Sequence, residues 1–239
     1  MPSATLLGQA LISGVLAGGM YGLLAMGLSL SWGLLRLVNL SHFALAFLAA
    51  YIVYELGTTW HVAPWWSAAL VVPAMFAIGA AQHWLFDRFR VNELASLLIT
   101  FSVAVILEAG IQLYWTADFR RYETEYSTKS IKAGPFFIPV LDLTLCIVAG
   151  LLAWGTWLWL RRTYVGKALR AAAEEDPGIA AAYGVNHKRL AYLLSGIGAG
   201  YAGIAGTFIA LIATLAPAWA PVVSFSVLIA ILLWDPEWL

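Results

Sequence analysis

MPSATLLGQALISGVLAGGMYGLLAMGLSLSWGLL, residues 1–35, contains no Asp, Glu, Lys, Arg or His. A helix needs about 20 predominantly apolar residues to cross a bilayer. This run is therefore long enough to span and too long for one straight span. A tilted helix plus a broken or re-entrant piece is the expectation. The same stretch has no basic residues before its apolar core, so it reads as an uncleaved first span rather than a signal peptide.

The rest of the chain continues the theme. Of 239 residues, 62% are hydrophobic and 11% charged, against roughly 25% charged in a soluble domain. Twelve Trp, ten Tyr and eleven Phe suit aromatic belts at the membrane interfaces. The expected fold is all-α: one polytopic transmembrane helical bundle over residues 1–239, lodged in the lipid bilayer. A formal net charge of zero gives no footing for nucleic-acid binding. Cys146 stands alone in an apolar run and reads as a packing residue.

Further apolar segments lie near Leu37–Tyr54, Pro64–Leu85, Leu94–Tyr114, Phe136–Leu160, Leu190–Ala216 and Val222–Trp234, which makes about seven spans. Cytoplasmic loops carry the excess of Lys and Arg. The densest basic cluster is Arg161, Arg162, Lys167, Arg170, Lys188 and Arg189. With that cluster inside, Arg36, Arg88 and Arg90 also fall inside, so nine of the thirteen Lys and Arg are cytoplasmic. The N-terminus then lies outside and the C-terminus inside. Gly14, Gly18 and Gly22 recur every four residues, and Gly196, Gly200 and Gly203 share another helix face. Small residues let helix backbones approach closely in lipid. Both faces read as helix packing within the bundle, with a dimer interface or a substrate path as the alternatives.

The cytoplasmic segment GKALRAAAEEDPGIAAAYGVN, residues 166–186, is Ala-rich and charged. RRTYVGKALRAAAEE is full of strong helix formers. Asp176 then suits an N-cap, Pro177 a first helical position and Gly184 a left-handed C-cap. The expectation is helix, break, helix across about residues 161–189. Its Ala-rich surface, edged by Glu174, Glu175 and Asp176, suits either close approach by another protein or an ordinary solvated loop.

That segment resembles the cytoplasmic loop of ATP-binding cassette permeases of the branched-chain amino acid type, the LivH/LivM-like group. Gly166, Ala168, Arg170, Ala171, Ala180, Gly184, Val185 and Asn186 fill the places of the family's G-x-A-x-R-A start and G-I-N ending. GGMYGLLAMGLSLSWGLLRLVNLSH (Gly18–His42) is similar to the family's opening block, through Tyr21, Gly22, Leu23, Ala25, Gly27, Leu28, Asn39 and His42. LLITFSVAVILEAGIQLYW (Leu97–Trp115) resembles its fourth-span block. Phe43 and Ser102 replace family glycines, and Glu108 stands where a neutral amide is common. SFSVLIAILLWDPEWL resembles the family's last helix, with Asp235 and Trp238 in place of Arg and Gly. The resemblance thus implies an internal shortening near the C-terminus.

The resemblance implies a permease subunit of an importer in the inner (cytoplasmic) membrane. The residue 161–189 loop would dock into a separate ATP-hydrolysing subunit, with Gly166, Arg170, Glu174, Glu175, Ala180, Gly184 and Asn186 as coupling residues. It also implies a second permease subunit, identical or homologous, and an external substrate-binding protein. The cargo would be branched-chain amino acids or related amides or urea. No cofactor is expected on the chain itself: it has no G-x-x-x-x-G-K-[ST] loop, so ATP would be hydrolysed by the partner.

Ionisable groups inside a span are functional candidates by default. Glu108, with Gln112 one turn on, reads either as part of a transport path or as a structural hydrogen bond. Asn39 and His42, three apart, are expected to share one helix face near the cytoplasmic mouth, as a gate or a capping cluster. His42 has no companions at metal-ligand spacing. Asp142 reads as a helix cap. An ion-coupled transporter acting alone would call for more intramembrane charge, and a membrane enzyme for a nucleophile and base within reach. Neither pattern is evident, and no catalytic residue is assigned.

Overall fold

A computed structural model of the chain describes residues 4–35, 39–174 and 187–216. The elements are α1 (Ala4–Leu35), α2 (Ser41–Thr58), α3 (Pro64–Arg88), α4 (Glu93–Trp115), β1 (Ser130–Ala133), β2 (Phe136–Pro139), α5 (Val140–Arg162), α6 (Tyr164–Glu174) and α7 (His187–Ile212). All but α6 among the helices are long and apolar enough to cross a membrane, giving six among the described residues. The seventh expected segment, Val222–Trp234, lies outside them.

α1 is a single unbroken helix of 32 residues, about 48 Å at 1.5 Å per residue. That corrects the expected broken or re-entrant piece, because a break in hydrocarbon would strand backbone groups with no water to receive them. The span expected from Phe136 is shorter than its apolar run suggests. Phe136–Pro139 pairs antiparallel with Ser130–Ala133, Ala133 opposite Phe136 and Ser130 opposite Pro139. Gly134, at φ +61°, supplies the left-handed residue that a two-residue hairpin loop requires, and α5 starts only after Pro139.

The helices alternate in direction, and side-chain contacts separate the two ends. At one end, Leu30 of α1, Leu169 of α6 and Leu194 of α7 form a small core with Trp159 and Leu160 of α5. Arg88, Arg90, Arg161, Arg162, Lys188 and Arg189 flank these helix termini, and this is called the basic end. At the opposite end, Gln9 exchanges hydrogen bonds with the backbone of Phe137 at 2.9 and 3.0 Å. There too Arg120 pairs its backbone with Leu215, just beyond α7.

α7 is the spine. Its Gly206 lies on α2, where an added Cβ would come 2.7 Å from Ala49 Cβ and 3.0 Å from Ala50 N. Its Gly196 and Gly203 lie on α3, a Cβ on Gly196 falling 2.7 Å from the Phe76 ring and one on Gly203 3.2 Å from Met75. Gly200 faces α3 more loosely, 4.0 Å from Val72 Cγ1. Gly198 meets Gly27 of α1 backbone to backbone. Small residues at these crossings let packing replace the hydrophobic drive that lipid cannot supply. Thr207, Ser31, Thr144 and Thr156 return their hydroxyls to carbonyls four residues back in their own helices, so none needs water.

The face Gly14–Gly18–Gly22 is a correction. Among the described residues, nothing lies within 4 Å of a Cβ placed on any of the three. The α1 glycines that pack inside the bundle are instead Gly8 against Phe136, Gly19 against Cys146 and Gly27 against His42 and Gly198. The four-residue spacing is sound, but the stripe is turned away from the other described helices.

Candidate functional site

At the basic end, α5 and α6 meet at Thr163. Its backbone N–H closes α5 on the Trp159 carbonyl at 3.1 Å. Its hydroxyl donates to the same carbonyl at 2.7 Å and accepts from the Gly166 N–H at 3.0 Å. One residue thus ends one helix and caps the next. α6 folds back tightly: a Cβ on Gly166 would overlap Leu160 Cα and lie 2.5 Å from the Trp159 carbonyl oxygen. Gly166, Ala168 and Leu169 are buried while Tyr164, Lys167 and Arg170 are exposed. The continuous helix expected from Arg161 is therefore two helices, and the missed signal was Thr163 three residues before Gly166. Glu174 closes α6. Glu175, Ala180, Gly184 and Asn186 lie outside the described residues, as does the break at Asp176–Pro177.

On the same side, the start of α2 is held by a buried polar cluster. Asn39 Oδ1 accepts from Ser41 N at 3.1 Å and from Ser41 Oγ at 2.6 Å. Gln82 of α3 donates to Ser41 Oγ at 2.8 Å and accepts from Asn39 Nδ2 at 3.3 Å. The Leu40 N–H donates to Thr100 Oγ1 of α4 at 3.1 Å. Three helices are joined here by neutral groups, each with a partner. Sequence reading found Asn39 but missed Gln82, Ser41 and Thr100, although an amide inside an apolar helix was the available sign.

Asn39 and His42 do not share a face, which corrects the expectation. Asn39 precedes α2 and turns to α3, whereas His42 turns to α1. There its Nε2 lies 3.0 Å from the Leu24 carbonyl, and a Cβ on Gly27 would overlap the imidazole. His42 is buried at 2% exposure, so its position is one of close packing.

Glu108 and Gln112 stand apart from that cluster. Gln112 Nε2 donates to Glu108 Oε1 at 3.3 Å. Glu108 lies eight residues beyond Thr100, about 12 Å along α4. Asp142 sits in the first turn of α5, where a carboxylate suits the helix dipole.

The end opposite the basic one is tied by Arg120. Its Nε donates to the Trp115 carbonyl at 2.9 Å, and its guanidinium lies over the Tyr54 ring at 5.7 Å. The Tyr54 hydroxyl beside it raises its pKa, which keeps it charged. Burial pushes the Tyr122 phenol up, and that ring occupies the space left by Gly57. Glu55 accepts from Trp115 Nε1 at 2.9 Å and borders a cavity of about 300 Å³ with Trp60 and Tyr114. A second, apolar cavity of about 390 Å³ lies between α3 and α7, lined by Val72, Pro73, Phe76, Ile197, Gly200 and Tyr201 among others. Pro73 gives no N–H to its own helix, so α3 is locally weakened beside it. Among the described residues no group of three His, Cys, Asp or Glu side chains can hold a metal ion.

Six apolar helices, five of them forming a group with α7 as its glycine-packed spine, and a short amphipathic helix folded onto the basic end define a multi-pass membrane protein of the transport-permease class. Sequence comparison gives the family. The chain belongs to the family described as branched-chain amino acid transport system / permease component, which matches residues 10–233. This is a family of transport permeases, not enzymes. The chain is similar to the high-affinity branched-chain amino acid transport system permease protein BraD of Pseudomonas aeruginosa, 22% identical over 215 residues. It is 24% identical over 217 residues to the corresponding LivH proteins of Salmonella typhimurium and Escherichia coli. Each alignment covers 84% of this chain and 70% of the relative. No solved structure matches it significantly.

Proposed function

We propose that the chain is the membrane-spanning permease subunit of an ATP-binding cassette importer in the inner (cytoplasmic) membrane. The observation that carries this reading is the α5–α6 elbow. Gly166 and Thr163 fix a short helix against the bundle with Lys167 and Arg170 outward, within a chain matched to a permease family over 10–233. A helix so held transmits a push rather than absorbing it. The ATP-hydrolysing subunit docks on the loop of about residues 161–189 and is the source of energy. Coupling residues are Gly166, Arg170, Glu174, Glu175, Ala180, Gly184 and Asn186.

A second permease subunit, identical or homologous, and an external substrate-binding protein complete the system. The cargo is branched-chain amino acids or related small polar compounds such as amides or urea. Access alternates as the ATPase favours one docked state of the loop over the other. The Asn39 cluster serves as the inner gate, while Glu108 and Gln112 border the path.

The test is co-purification with a nucleotide-binding subunit, cross-linking of Ala180→Cys to it, and uptake of labelled leucine, isoleucine and valine into vesicles. ATP-dependent uptake with a cross-linked ATPase is expected. Uptake by the chain alone, without ATP, overturns the reading.

A further inference from the structure

We infer that Asp87 is the positioning residue that carries movement of the cytoplasmic loop into α3, and through α3 into the Asn39–Ser41–Gln82 cluster. The inference rests on the permease reading above. The first turn of α7 is the loop's second leg, because α7 begins at His187. One carboxylate holds a residue of that turn and one of the turn after it. Asp87 Oδ1 lies 2.9 Å from Lys188 Nζ. Asp87 Oδ2 accepts from Lys188 Nζ at 3.0 Å and from the Tyr192 hydroxyl at 2.9 Å. Lys188 and Tyr192 are four apart and so stand on one face. One turn earlier on α3, the His83 ring meets the Tyr192 ring edge-on at 5.3 Å.

Two positions on each helix therefore engage two on the other. Such a clamp resists both rotation of α7 about its axis and a slide along α3, which a single contact does not. Its contribution to fold stability is small, since the Lys188 side chain is 68% exposed and exposed ion pairs add little. What it supplies is registration. Below the clamp the two helices are in rigid contact: a Cβ on Gly79 would lie 2.5 Å from Ala199 Cβ, and Gly196 sits under Phe76. Gln82 immediately precedes His83 and turns to the other neighbour, where it bonds Ser41 and Asn39. Displacing the last turn of α3 thus loads the cluster within five residues. The loop's first leg folds onto α5 at Gly166 and also packs Leu169 against Leu194 of α7, whereas the second leg reaches α3 through Asp87.

The test uses the full chain assembled with its ATPase and second permease subunit, in a Cys146→Ala background. Leu40→Cys, beside the cluster, reports by its rate of reaction with a water-soluble maleimide. In the parent complex, trapping ATP is expected to change that rate about tenfold, the scale of ordinary coupling between sites. Asp87→Ala, which lies outside the docking loop, should abolish the change while still capturing the ATPase, and Lys188→Met should abolish it in the complex that forms. Asp87→Glu, and the exchanged pair Asp87→Lys with Lys188→Asp, should restore it. Single variants that keep the nucleotide-dependent change overturn the inference, as does an exchanged pair that fails to recover it. Failure of the parent chain to capture any ATPase brings down the permease reading as well.

Discussion

Replacing Gly206 by Ala adds one methyl group where α7 crosses α2. The new Cβ would overlap the Ala46 carbonyl oxygen and stand 2.7 Å from Ala49 Cβ and 3.0 Å from Ala50 N. Ordinary carbon contacts lie at about 3.5–4.0 Å, so the helices must part by roughly 1 Å. The obstructing atoms are backbone and Cβ, none of which can rotate away. Overpacking of this kind costs about 1–3 kcal/mol, and a rigid obstacle belongs at the upper end. Ala also gains roughly 0.5–1 kcal/mol over Gly in a helix, which blurs the reading of one variant alone.

Gly18→Ala removes that ambiguity. It gains the same helix preference and meets nothing within 4 Å, so the difference between the two variants isolates the overpacking. The chain purified by itself in detergent, unfolded with increasing SDS and followed by its twelve Trp, should show Gly206→Ala less stable than Gly18→Ala by about 2–3 kcal/mol. Equal stability would refute α7 as a backbone-packed spine.

Gln82→Leu strips Ser41 and Asn39 of a shared partner. It should cost about 1–3 kcal/mol in the same unfolding assay, the usual result of leaving a buried polar group unmet. Tyr51 is fully buried and its hydroxyl has no hydrogen-bond partner among the described residues. Tyr51→Phe should therefore be neutral or stabilising by up to about 1 kcal/mol, and a loss above that would reveal a bond this geometry lacks. Gly166→Val drives two methyls into the last turn of α5. Capture of the ATPase subunit in a pull-down should fall sharply while the transmembrane helices still fold, as helical circular dichroism will report.

What the sequence conveys depends on whether a signal is local. Apolar length and loop charge locate the spans and their ends, because burial in lipid acts on each segment by itself. The hairpin was hidden inside such a length: Phe136–Ile138 are apolar, and only Gly134–Pro135 marks the chain as reversing there, with Pro139 marking where α5 begins. Thr163 was a local signal overlooked beside stronger helix formers. Glycine spacing identified faces without saying what they meet, so Gly196 and Gly203 lie on α3 while Gly14, Gly18 and Gly22 meet none of the described residues. Asp87 and Lys188 are 101 positions apart, and no periodicity links them. The buried cluster was half legible, since Asn39 stood out and Gln82 needed its neighbour to be meaningful.

The pairing of Arg120 with Leu215 has a consequence for the surface opposite the basic end, which the permease reading places outside. α7 is 26 residues long, about 39 Å of rod, fastened at its first turn to Asp87 and just past its last to the loop after α4. A rod held at both ends reports strain in either direction. Equilibrium linkage has no preferred sense, so whatever free energy a nucleotide delivers to the outer loop, a ligand settling on that loop returns to the nucleotide in equal measure. On the permease reading, an arriving substrate-binding protein would then tighten or loosen ATP across the membrane without ever approaching it, and the Arg120 clasp would set the gain of that signal.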